Sequence, residues 1–391
     1  MGHTFDNILD QLATYKAGSE TLRETILANL VMVGEIAAPT FQEQEKLQFL
    51  LQRFSEAGLP DASSDEVGNS VGLIPGKGGD KKNILLVAHA DTVFAEEVDH
   101  TVTVHPDRVI GPGVGDNSLG VAVLASLSNL IEKLDLEFDS NLILMGASRS
   151  LGRGNLEGLR FFLENNTLPI QAAICLEGVQ LGRLSITSLG MLRGEITCRV
   201  PNEYDGSRFG AAGAIFIMNE VINGLVEIPL PKRPKTSIIM GSIQGGTSFN
   251  SIAQSVRLRF EIRSESAQMV RDIRQHVENI IAKVTSETGT EINLDIFAGR
   301  EPGGLELAHP LAHGTRAIME RLNIESRIAP SMSELTALID RNIPAVTVGL
   351  TWGEHLNEPN ESIQVEPIST GIAQLIGILM AVDRGFCHAD G

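Results

Sequence analysis

The stretch Ile84-Leu85-Leu86-Val87-Ala88-His89-Ala90-Asp91 decides the fold. Its first five residues are apolar without alternation, the pattern of a strand covered on both faces in a parallel sheet. The run then delivers two groups with chemistry, His89 and Asp91. Three further runs share the pattern: Asn141 to Met145, Ala172 to Leu176 and Ala345 to Leu350. Helical periodicity lies between them, at Val121 to Lys133 and Leu156 to Glu164. This alternation predicts an α/β domain with a mixed, largely parallel central sheet and flanking helices.

Upstream, Leu22, Ile26, Leu30 and Val33 recur at helical spacing. Pro39 breaks the chain, and Thr40 with Glu43 has the Thr-x-x-Glu form of a capping box. Leu47, Leu50, Leu51 and Phe54 then form one apolar helix face, which ends at Ala57-Gly58. Downstream, Gly190 to Phe297 reads as strand, helix, two strands, helix and strand, the ferredoxin-like order. The expected organisation is a main domain of residues 1–187 and 300–391, with an inserted α+β domain at 188–299.

In an open α/β sheet, ligands gather at the carboxyl ends of the strands. Three of the four apolar runs end at, or lead into, a candidate metal ligand: His89, Glu177 and His355. Asp116 joins them from the glycine-rich turn Gly113-Val114-Gly115-Asp116-Asn117. His, Asp and Glu together suit a borderline cation such as zinc. Asp91, two residues after His89, is placed to fix the tautomer of a ligating imidazole.

The 391 residues are 42% hydrophobic and 20% charged, with a net charge of −18. Two globular domains fit that length. Acidity of this size disfavours nucleic acid and anionic membrane as partners. Three cysteines in no recognisable spacing suit a reducing compartment. The start of the chain lacks the pattern of a signal peptide, and the longest apolar runs are strand-sized. The expected location is cytoplasmic.

The sequence resembles the aminoacylase, carboxypeptidase G and peptidase T family of co-catalytic zinc hydrolases. The motifs that carry the resemblance span nearly the whole chain. They are Ala38 to Glu43, Asp65 to Asn69, Ala88 to Phe94, Gly111 to Asn117, Gly245 to Asn250, Phe260 to Ser264 and Ile343 to Val346. The resemblance implies two ions sharing Asp116, the first also held by His89 and Glu177, the second by His355 and the second Glu of a Glu-Glu pair. The first Glu of that pair would be the general base. Asp91 would orient His89, Asn250 and Arg263 would contact substrate, and the inserted domain would form a homodimer. Arg263 equally suits a strand-end salt bridge.

The chain departs from the family pattern where the Glu-Glu pair should stand. Ser150-Leu151 precedes an intact Gly-x-Gly-Asn-Leu-x-Gly run, Gly152 to Gly158. Serine is no base near neutral pH without a partner, and leucine binds no zinc. Tyr204 stands where the family has a histidine that stabilises the tetrahedral intermediate across the dimer. Ser333-Glu334-Leu335-Thr336 replaces Thr-Asp-Ala-Asn. Glu203, Glu301 and Glu334 are further carboxylates that sequence alone does not place. One zinc or other divalent ion, and not two, is therefore expected. The function expected is that of a weak or inactive exopeptidase-like protein that binds a small peptide or acylated amino acid. An active single-ion hydrolase with a rearranged base, and a non-catalytic binding or assembly protein, are the alternatives.

Overall fold

The computed structural model describes residues 4–79, 82–201 and 213–387. Two compact units are present, Met1–Thr187 with Gly304–Gly391, and Ser188–Gly303. Tyr204 and Glu203 lie outside the described residues.

The first unit is built on an eight-stranded sheet. Its order is Ser63–Ser64, Ser70–Ile74, Asn141–Ala147, Asn83–His89, Ile170–Val179, Ala345–Thr351, Arg183–Ser185 and Arg327–Ile328. The central four strands are mutually parallel. Ser70–Ile74 and Arg183–Ser185 run antiparallel beside them.

The apolar runs are continuous because helices cover both faces. Ile84, Leu86 and Ala88 enter one core cluster, with Leu124, Ile372 and Leu30 from helices Leu119–Lys133, Ile368–Asp383 and Arg23–Gly34. Leu85 and Val87 enter a second cluster with Leu159 and Leu335, from helices Glu157–Asn165 and Leu335–Ile339. Each fully buried side chain of this size contributes about 1.5–3 kcal/mol. A polar substitution on either parity of the strand is therefore costly. Val114–Lys133 is long and apolar enough to span a bilayer, and so exceeds the strand-sized runs expected; 83% of its most apolar window is buried in this core.

The expected capping box does not form. The helix Gln44–Glu56 begins without a side-chain cap. The Thr40 hydroxyl instead donates to the Asp91 carboxylate at 2.8 Å, and Glu43 accepts from the Arg149 amide at 2.6 Å. Long-range charged partners outcompete the local cap because charge-assisted bonds are the stronger ones.

The second unit is a four-stranded antiparallel sheet in the order Thr236–Gly245, Ser255–Ser264, Gly190–Arg199, Glu291–Arg300. Helices Ala214–Glu227 and Ala267–Thr288 bury Ile217, Val221, Ile273 and Val277 against Ile196, Leu258 and Ile262. The long helix is capped by Ser266, whose hydroxyl accepts from the Met269 amide, and stops at Gly289 with φ 65°. This is the ferredoxin-like arrangement. The last strand pairs as far as Arg300 with Met191, which carries the unit to Gly303, past residue 299. Its edge strand Thr236–Gly245 leaves Ile239, Met240 and Ile243 exposed.

Candidate metal centre

Strand parity builds the centre. Val87 and Cys175 are paired across adjacent parallel strands and face the second core cluster. Two residues further along each strand, on that same face, come His89 and Glu177. Both are buried. Asp116 arrives from the turn before helix Leu119–Lys133. A single carboxylate oxygen of Glu361 accepts from the Gly115 and Asp116 amides at 2.7 and 2.8 Å. A Cβ at Gly115 would come 2.9 Å from that oxygen, so a larger residue there would push the Glu361 carboxylate aside. The next side chain, Asn117, donates to the Leu176 carbonyl at 2.7 Å and accepts from the Gly178 amide at 2.8 Å. Those bonds bracket Glu177 and hold the turn beside it.

One ligand atom from each of His89, Asp116 and Glu177 lies within 4.8 Å of the others. His89 Nε2 is 3.1 Å from Asp116 and 3.8 Å from Glu177. Its Nδ1 lies 3.0 Å from the Asp91 backbone carbonyl and 3.5 Å from the Asp91 carboxylate. Orientation of the ring therefore comes first from the main chain of Asp91, and that bond makes Nδ1 the protonated nitrogen. The Asp91 carboxylate is itself held by Thr40 and by the Leu151 amide at 2.8 Å.

The electrostatics suit a cation. Burial works to lower the His89 pKa, but the Asp116 and Asp91 carboxylates outweigh it and raise it well above the ordinary value. Glu177 is raised by burial, with Arg183 and His89 opposing. Asp116 is lowered, because contact with His89 overcomes its desolvation. Without a metal, a proton shared with His89 compensates these carboxylates. A divalent ion fits the same place: two carboxylates and an imidazole nitrogen converge, in a set that suits zinc. Arg183 stands at the rim, 3.7 Å from Glu177.

The remaining expected residues fall elsewhere. His355 is exposed, lies 3.5 Å from Glu358, and is outside the three-residue group. Ser150 is buried with an unpartnered hydroxyl, and Leu151 is half-buried beside Asp91. In the second unit, Arg263 pairs with Glu261, which also takes Arg193. Burial raises the Glu261 pKa, yet the two arginines hold it below the ordinary value. Asn250 is exposed and accepts from Ser248 at 3.2 Å.

Two features escaped sequence reading, Glu361 and Lys46, and a third, Glu334, was named without a place. Glu361 clamps the Asp116 turn; its separation of 245 residues hides the contact. Glu334 is buried, with one carboxylate oxygen unpartnered. Lys46 is 1% exposed and donates to Ser118 at 3.2 Å. Burial lowers its pKa to about 8, with Asp91 opposing. Its spacing of four from Leu50 was the available signal, since it puts Lys46 on the buried face.

Residues 192–289 match the family model of a peptidase dimerisation domain, and residues 69–148 match that of peptidase family M28. The chain is 25% identical over 296 residues to the probable hydrolase sll0100 of Synechocystis, covering 72% of this chain and 74% of that one. It is 33% identical to carboxypeptidase G2 of Pseudomonas over 137 residues, covering 33% of this chain and 31% of the relative. Its fold is similar to that of the dipeptidase Dug1p of Saccharomyces cerevisiae, with a TM-score of 0.77 at 13% identity over 98% of this chain and 99% of that one. The fold, the dimerisation-type unit and these relatives together support the resemblance to the family of aminoacylase, carboxypeptidase G and peptidase T.

Proposed function

We propose that this protein is a single-cation member of its family, which binds a small peptide or an acylated amino acid and hydrolyses it weakly. The observation that carries this reading is the convergence of His89, Asp116 and Glu177; the buried Ser150, at the position where the resemblance implies the base, supports the weak hydrolysis. The three residues would hold one divalent ion, zinc by the donor set. Such an ion polarises an amide carbonyl and lowers the pKa of water. His89 keeps Nε2 free for it by donating from Nδ1 to Asp91. Asp116 is fixed by the Glu361 clamp. A second ion would have only Asp116 and His355 left of its family ligands, and His355 stands exposed beside Glu358.

No proton acceptor stands at position 150, which removes about 10²–10⁴-fold in rate for general-base catalysis. Substrate contacts through Asn250 and Arg263, and a homodimer through the inserted unit, belong to the same proposal. The match to a peptidase dimerisation domain supports the dimer.

Elemental analysis after zinc loading and desalting tests the site. One ion per chain is expected, and none in Asp116→Asn or His89→Ala. Two tightly held ions, or one ion retained by both variants, would refute the reading.

A further inference from the structure

We propose that Glu334 is an outer carboxylate of the cation site, acting on the ion from beyond its direct ligands. The inference rests on the single-ion site above and adds a residue to it.

Placement comes first. Glu334 immediately precedes the short helix Leu335–Ile339. Leu335 and Leu338 pack in the core cluster that holds Val87 and Cys175, the face onto which His89 and Glu177 project. A side-chain relay fixes the preceding segment to the same spot. Arg183 donates to the Ser331 hydroxyl at 3.2 Å while its other terminal nitrogen lies 3.7 Å from Glu177. Ser331 in turn bonds Ser333 at 2.8 Å. The charge of Glu334 is felt at His89, Glu177 and Cys175.

Glu334 is 2% exposed, one of its oxygens has no hydrogen-bond partner, and it makes no capping bond to the helix it precedes. Leaving a buried carboxylate oxygen without a partner is costly. A divalent cation close by offsets that cost. Glu334 is not part of the group whose ligand atoms lie within 4.8 Å of one another. It therefore acts on the ion from outside the direct ligands, and the three-ligand count stands.

Calorimetric titration of the full-length protein with zinc tests the assignment. Glu334→Gln is expected to keep a stoichiometry of one and to weaken affinity about 10–100-fold, the usual effect of losing an outer-shell partner. Its metal-free melting temperature should not fall, since no hydrogen bond to that oxygen is lost. Glu334→Met, apolar and of similar size, is the second variant and should show the same weakening. Affinity within twofold of wild type in either variant would overturn the proposal while leaving the three-ligand site intact. Absence of zinc binding by the wild-type protein would instead refute the single-ion reading, and Glu334's part with it.

Discussion

At the scale of residues, two places in the chain bear on the proposed site, the Ser150-Leu151 pair and Lys46. Ser150 and Leu151 stand where the resemblance implies a carboxylate pair, and the Leu151 amide donates to Asp91. Replacing both together, Ser150→Glu with Leu151→Glu, should raise kcat/KM for a dipeptide or acyl-amino acid by at least about 10²-fold, the low end of general-base effects. Steady-state assays with and without chelator check this; an unchanged rate would mean that more than the pair has been lost. Lys46 is the second position. Its folded-state pKa of about 8 lies below the ordinary 10.5, so its charge opposes folding even with Asp91 nearby. Below pH 8 it is protonated in both states and the cost is complete, roughly 3 kcal/mol. As pH rises from 8 towards 10.5 the folded protein releases the proton first and the cost fades. Lys46→Met should therefore be more stable than wild type at pH 7, with the gap closing by pH 10.5 in urea titrations. A less stable variant at pH 7 would show that the attraction to Asp91 outweighs burial.

At the scale of elements, legibility followed the range of the interaction. The parallel strands were readable because burial on both faces leaves a continuous apolar run, and the inserted unit because its strands and helices alternate in a known order. His89, Asp116 and Glu177 were readable because strand ends and glycine turns concentrate ligands. Thr40 and Glu43 were misread as a cap, since their true partners, Asp91 and Arg149, lie 51 and 106 residues away. Glu361 was hidden for the same reason, and Glu334 could be named but not placed: a lone glutamate has no local pattern. The edge strand Thr236–Gly245 carries its own expectation. Ile239, Met240 and Ile243 are exposed on it, and Ile215, Phe216 and Val226 on helix Ala214–Glu227 of the same unit. An unpaired edge with apolar side chains is a template for pairing. Ile239→Lys with Ile243→Lys should convert a dimer to a monomer in size-exclusion chromatography with light scattering. A dimer that survives both changes would place the interface elsewhere.

At the scale of the whole molecule, the sheet is a non-local construction. Ile170–Val179 pairs on one side with a strand about 90 residues earlier and on the other with Ala345–Thr351, which begins 166 residues after Val179. The inserted unit lies between them in the sequence. During synthesis at about 5–20 residues per second, roughly ten to thirty seconds separate the emergence of the two partners. Throughout that interval the strand bearing Glu177 has one flank without its neighbour, and Glu361, which clamps Asp116, has not yet been made. The inserted unit, whose strands are all contiguous in sequence, can complete itself first. A nascent chain would thus carry a folded appendage on an open sheet, and the cation pocket would be among the last parts to close. Chaperone demand in the cell should accordingly track the length of that wait more than the final stability of the protein.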